Sequence, residues 1–332
     1  MDTHEPSTAD SHHDHAHHAI DPTILTSERG IWAIKWSFIG LMTTAVMQVV
    51  IVYYTSSVAL LADTIHNFGD ASTAIPLWIA FRLARLKPSR QYPYGYGKVE
   101  DLAGAVIVFL ILFSAVVAGV QSVERFLNPQ PVRYLWAIGA AAIIGFVGNE
   151  VVALFRIRVG KEINSAALIA DGYHARADGL TSLAVLGGAV GIWLGFPLAD
   201  PIVGIFITVF ILRIVWASAR TVFARMIDGV GPEVVDEIRH AALHIEGVEQ
   251  VSEVRARWIG HRLHGEVNLA VAPALSVSEA HALGQAARHA ILHHLPSLSN
   301  VIIHVDPGDA SGEGFHRIER HAHDELEPHF HP

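Results

Sequence analysis

Ala59-Leu-Leu-Ala-Asp63-Thr-Ile-His66-Asn67-Phe-Gly-Asp70 and Ala167-Leu-Ile-Ala-Asp171-Gly-Tyr-His174-Ala-Arg-Ala-Asp178 set the same pattern of imidazole and carboxylates into two long apolar stretches of one chain. An ionisable side chain at membrane depth costs about 2.5–3.5 kcal/mol even on the lenient insertion scale, so a chain that keeps several there generally uses them. His66 and Asp70 are four residues apart, as are His174 and Asp178, so on a helix each pair shares one face about one turn apart. Asp63 and Asp171 lie three residues earlier on that face. Packed side by side, the two segments would bring two imidazoles and two carboxylates together. That set suits a tetrahedral divalent cation, Zn²⁺ first, with Co²⁺, Fe²⁺ or Cd²⁺ also compatible. Mg²⁺ and Ca²⁺ prefer more oxygens and no imidazole. Taken singly, such a His can hydrogen-bond across helices, and such an Asp can pair with a buried Arg such as Arg176 or Arg213. The duplication is what favours an ion site.

The surrounding composition agrees. The chain has 332 residues, 51% hydrophobic and 17% charged, where a soluble domain carries about 25% charged residues. Apolar runs near the length of about 20 residues that spans a bilayer fall at roughly 32–54, 58–82, 100–124, 134–155, 164–194 and 198–220. Gly187, Gly188, Gly191 and Gly195 predict a flexible end to the fifth. Lys and Arg gather after the second span (Arg82, Arg85, Lys87, Arg90, Lys98) and after the fourth (Arg156, Arg158, Lys161), and are sparse after the others. By the positive-inside rule both termini are cytoplasmic. Residues 1–30 have no apolar core of the kind a signal peptide needs. Cysteine is absent, which excludes disulfides and thiolate metal sites, and nothing in the chain points to nucleic acid.

Beyond Arg220 the pattern becomes that of a soluble domain. A helix is predicted over 232–245, strands over 248–258 and 263–272, a second helix over 276–295 and a last strand over 300–306. This αββαβ order fits a small α+β fold of ferredoxin-like type, small enough to gain from pairing with a second copy. The expected organisation is a His-rich tail over 1–30, a six-helix membrane domain over 31–222, a cytosolic domain over 226–308 and a second His-rich tail over 309–332. Neither tail has the apolar content to fold.

The paired motif resembles that of the cation diffusion facilitators, divalent-metal/proton antiporters with six membrane helices and a cytosolic ferredoxin-like domain. The resemblance runs from about residue 30 to 308. It includes Tyr94-Gly-Tyr-Gly-Lys98-Val-Glu100 and Val301-Ile-Ile-His304-Val-Asp306-Pro307. It implies that His66, Asp70, His174 and Asp178 form the transport site. It implies a cytosolic metal site at His281, His304 and Asp306, with Ser252 and Asn268 where members can carry histidine and with His261 and His264 near enough in sequence to substitute. Lys98 and Asp228 match a charge pair that hinges the dimer in that family, although Lys98 also reads as an ordinary positive-inside residue. A loop site that some members hold between helices two and three is not expected, since Arg90-Gln-Tyr92-Pro-Tyr-Gly-Tyr96 has tyrosine in place of histidine.

The expected function is export of Zn²⁺, or a similar divalent ion, in exchange for protons by a homodimer in a bacterial inner membrane, with Zn²⁺ also a possible regulator. Asp63, Asp171 and Asn67 are expected around the ligands or at the mouth of the cavity, with Asn149 and Glu150 facing the same cavity or a helix contact beside Gly145 and Gly148. Gly69 and Pro76 would lend the second span pliability. An intramembrane metalloprotease would need a His-Glu-x-x-His motif or its like, which does not occur. A metal sensor without transport would need a signalling module, and none is visible. Co²⁺, Ni²⁺, Fe²⁺ or Cd²⁺ remain alternative cargoes.

Overall fold

The computed structural model describes residues 22–55, 74–128, 135–196 and 198–312. Its membrane part contains α1 (Pro22–Thr55), α2 (Ala74–Ala84), α3 (Lys98–Leu127), α4 (Leu135–Glu162), α5 (Ala166–Trp193) and α6 (Ala199–Met226). Four of these, α1, α3, α4 and α6, are long and apolar enough to cross a membrane. A 30-residue helix such as α3 is about 45 Å long, against about 30 Å of hydrocarbon. α5 is as long as α4 but carries Asp171, Arg176 and Asp178 in its body. α2 covers the end of the expected second span and runs two residues past it; the rest of that span, including Asp63, His66, Asn67, Gly69 and Asp70, lies outside the described residues.

Outward-facing Phe113, Phe206 and Trp216 are 69%, 75% and 75% exposed, as expected of side chains that meet lipid. Exposed Tyr53, Tyr54, Trp136 and Trp193 stand at the end of α1, the start of α4 and the end of α5, one shared end of the bundle, where amphipathic rings favour a membrane–water boundary.

Small residues bring the helices together, as they must where water supplies no hydrophobic drive. A Cβ on Gly148 would run into Thr44 of α1, and one on Gly172 would reach 2.7 Å from Ile157 of α4. The glycines expected to loosen the end of α5 do the opposite: Gly188 and Gly191 let Asp200 and Ala199 of α6 press against the α5 backbone. Only Gly195, at φ +90°, serves a turn beyond the helix end. α4 also runs past the expected end of its span at 155, which places Arg156 inside the bundle, 1% exposed, and not in a cytoplasmic connection.

The cytosolic part follows the expected order: α7 (Pro232–Leu243), β1 (Val248–Ile259), β2 (Arg262–Val271), α8 (Val277–His294) and β3 (Leu298–Pro307). β1 pairs antiparallel with β2, and β2 pairs parallel with β3, in the order β1-β2-β3. Ile238 of α7 and Ala287 and Ile291 of α8 bury against Val251, Leu263, Val267, Leu269 and Val301 of the sheet.

The β1–β2 hairpin tip docks under the membrane helices. A Cβ on Gly97 would come 2.7 Å from the carbonyl oxygen of Ile259. Gly260, at φ +63°, donates its N–H to Asp101 at 3.4 Å. His261 lies 2.6 Å from Glu100 through Nδ1 and 3.4 Å from the Ser27 hydroxyl through Nε2.

α8 starts with a capping box, in which the Ser276 hydroxyl accepts from the Glu279 N–H and the Glu279 carboxylate accepts from the Ser276 N–H. Replacing Ser276 with Ala is expected to cost about 1 kcal/mol of cytosolic-domain stability, read as a lower midpoint in thermal unfolding of the purified chain. An unchanged midpoint would show that the cap contributes nothing.

Candidate metal site and its surroundings

Ser165 begins the site-bearing helix. Its hydroxyl accepts from the Leu168 N–H at 3.1 Å, capping α5 and setting the phase of everything after it. In that phase His174 and Asp178 are both buried, with His174 Nδ1 3.6 Å from Asp178 Oδ2. The hydroxyl of Ser182 donates to the Asp178 backbone carbonyl at 3.2 Å, one turn further along α5. The α5 half of the expected set is thus assembled one helical turn apart. α2 touches both α5 and α3. An imidazole and a carboxylate at this spacing, shielded from water, offer one nitrogen and one oxygen donor to a divalent ion.

Asp171 does something different from what its place in the repeat suggests. It is fully buried and stands 3.0 Å from the guanidinium of Arg156 on α4. That charge pair explains how a carboxylate is kept there, and it removes Asp171 from the solvated mouth of a cavity. Arg176, expected as a partner for a lone Asp, instead makes a two-pronged contact with Glu150 of α4, at 3.1 Å and 2.7 Å. Asn149 also belongs to the helix contact, its Cβ 3.3 Å from where a Cβ on Gly179 would sit. The role of Arg156 was hidden in sequence because it sits close to Arg158 and Lys161, as a loop charge would.

At the membrane–cytosol boundary Lys98 lies 2.8 Å from Asp228, donates to the Arg225 carbonyl at 2.9 Å and reaches Asp101 at 3.8 Å. The expected charge pair therefore forms within one chain. Asp228 holds a left-handed φ of 61° in the turn after α6, which aims it back at α3.

The cytosolic candidates do not come together as a set. His304 and Asp306 stand on the same side of β3 and touch at 2.8 Å, and Asn268 is the β2 partner of His304. Ser252, one strand further, donates to the Asn268 carbonyl at 3.3 Å. His261 is at the far hairpin tip, held by Glu100. His264 pairs in register with Arg257 and Asn300. His281 is exposed on α8. Among the described residues no three potential ligands gather around one point, so the nearness of His261 and His264 in sequence does not make them substitutes. β-strand register separates what a short sequence interval had joined.

Residues 34–227 match the family model described as the cation efflux transmembrane domain, and residues 230–308 match the one described as the cation efflux protein cytoplasmic domain. A Mycobacterium tuberculosis protein named "Probable cation efflux system protein" is 50% identical over 298 residues, 89% of this chain and 90% of that one. The manganese efflux system protein MneP of Bacillus subtilis is 26% identical over 295 residues, 85% of this chain and 99% of that one. The magnetosome protein MamB of Magnetospirillum gryphiswaldense is 25% identical over 287 residues, covering 86% and 95%.

His264 carries a pH prediction. Burial, then the charges of Arg257 and Arg262, hold its pKa below the usual 6.5. The unfolded chain therefore takes up the proton more readily, and cytosolic-domain stability falls as pH drops below about 6.5. Thermal unfolding between pH 7.5 and 5.5 should show this decline, and His264→Gln should flatten it. An equal slope in the variant would assign the decline to other groups.

Proposed function

Since the chain belongs to the cation efflux family, and is thus a membrane transporter of metal cations and not an enzyme, we propose that it exports Zn²⁺ from the cytoplasm in exchange for protons. The observation that carries this reading is the buried His174–Asp178 pair on α5, whose twin in sequence, His66 and Asp70, supplies two more ligands of the same kind. Six spans, with both termini in the cytoplasm of a bacterial cell, and a homodimer joined through the cytosolic domain complete the proposal. Lys98 and Asp228 anchor that domain to the membrane helices.

Metal binding needs neutral imidazoles and ionised carboxylates, so binding releases protons and protonation releases metal. The same four side chains then serve both ions in turn. Loaded from the cytoplasm, the site opens to the other side, where protons displace the cation. Alternating access of this kind comes from rigid elements rocking around a fixed site. Two nitrogens and two oxygens favour Zn²⁺ over Mn²⁺, which prefers more oxygen. The name of the Bacillus relative favours a second reading, Mn²⁺ as cargo, on the same site.

Purified protein in vesicles with an imposed pH gradient should take up Zn²⁺ faster than Mn²⁺, Co²⁺, Fe²⁺ or Cd²⁺. Faster Mn²⁺ uptake would move the cargo to the second reading, and no uptake of any of them would end the proposal. Asp178→Ala and Asp70→Ala should each abolish flux while the chain still folds. His66→Asp should shift selectivity toward Mn²⁺, because a harder oxygen replaces nitrogen. Normal transport by either alanine variant would displace the site.

A further inference from the structure

Around α5, at about 100° per residue, Asp171 sets a zero, and Asp178 and His174 lie about 20° and 60° to one side of it. On the other side Gly179 and Gly172 lie at about 80° and 100°, and Arg176 at about 140°. The two glycines mark the line along which α4 presses: a Cβ on Gly172 would meet Ile157 and the Ala153 carbonyl, and one on Gly179 would meet Asn149 and the Phe146 carbonyl. The ion pairs Arg156–Asp171 and Glu150–Arg176 therefore straddle that line, one on each flank. Two ion pairs on opposite sides of a contact line resist rotation in both directions, which neither does alone.

We infer that Arg156 and Arg176 are positioning residues for transport: with Asp171 and Glu150 they clamp α5 to α4 at two points, fix the rotation that presents His174 and Asp178, and make α4 and α5 one rigid body during the transport cycle. Motion that opens and closes the site then occurs between this pair and its neighbours, not at the α4–α5 contact.

Stability alone does not account for Arg156. It is 1% exposed, and its Nε and Nη2 have no hydrogen-bond partner among the described residues. A buried ion pair of that kind is often matched or bettered by apolar residues of similar volume. A fixed guanidinium offers something apolar packing does not, a directional hold on one carboxylate. The Glu150–Arg176 contact has the parallel two-bond form that adds geometric specificity to attraction. Neither pair is needed to ligate metal: Asp171 shares the face of His174 and Asp178 but is taken up by Arg156, and Arg176 lies about 160° around the helix from Asp178.

The inference rests on the export reading, and its test separates the two. Since the sequence contains no cysteine, introduced pairs are the only thiols. A Cβ on Gly145 would be 3.4 Å from that of Ser182, and one on Gly179 would be 3.3 Å from that of Asn149, near the Cβ separation of about 3.5–4.5 Å in disulfides. Gly145→Cys with Ser182→Cys, and separately Asn149→Cys with Gly179→Cys, are placed in vesicles and assayed for Zn²⁺ uptake oxidised and reduced, beside the oxidant-treated parent. A rigid pair predicts that oxidised and reduced forms of each variant agree within about twofold. Loss of about tenfold or more on oxidation, regained on reduction, would overturn the inference, as would failure of either pair to cross-link. No uptake by the parent would instead sink the export reading.

In a second arm Glu150→Gln and Arg176→Gln are compared with the swap of Glu150→Arg and Arg176→Glu. Misplacing His174 and Asp178 should change the Zn²⁺ to Cd²⁺ rate ratio by up to about tenfold, and the swap should recover the parental ratio. Equal losses for both ions, or an unchanged ratio, would reduce the pair to packing and refute its positioning role.

Discussion

A carboxylate placed inside an apolar helix bundle has no water to answer its charge, so another charged group or a hydrogen-bond donor must. That constraint organises the membrane part of this protein. Asp171 meets Arg156, Glu150 meets Arg176, and Asp200 at the start of α6 meets Arg125 of α3. His174 and Asp178 also lie side by side, 3.6 Å apart, across a gap longer than a hydrogen bond. In the proposed function the cargo cation is the partner that this imidazole and carboxylate share.

The same economy governs the boundary between membrane and cytosol. Glu100 and Asp101 are nearly fully buried at the start of α3, where the positive end of a helix dipole favours acidic side chains. The hairpin tip covers them, presenting His261 to Glu100 and the Gly260 N–H to Asp101, while Arg225 stacks at 4.2 Å over Trp258 and donates to the Asn164 carbonyl. Phe81 of α2 touches the His261 ring, and Arg262 donates to the Ala84 carbonyl. The cytosolic domain thus touches α1, α2, α3 and α6 together, so a change in its position bears directly on the helices around the site.

Close packing by small residues makes these polar contacts possible. Gly145, Gly148, Gly172 and Gly179 let α1, α4 and α5 approach until backbone and side chain nearly touch. At that distance short-range ion pairs between helices have defined geometry, and two of them suffice to set an angle of rotation.

The sequence by itself determined the helices that are strongly apolar, the αββαβ order of the cytosolic domain and the i, i+4 spacing of His174 and Asp178. Each of these depends on local periodicity and on the cost of placing apolar surface in water. The family resemblance raised the Lys98–Asp228 pairing beside a plain positive-inside reading of Lys98, and the structure forms the pair at 2.8 Å. Tertiary structure decided what each buried charge faces. Arg156 and Arg158 are two residues apart and chemically alike, yet one is sealed against Asp171 and the other is exposed beside Glu162. His261 and His264 are three apart in a hairpin, yet the docking of its tip sends one to Glu100 and leaves the other among strand neighbours. The glycines at the end of α5 looked loose because a glycine carries no mark of its neighbour, and it is α6 that makes them close-packed. Partner choice depends on helix rotation and domain docking, and these are fixed by contacts between residues far apart in the chain.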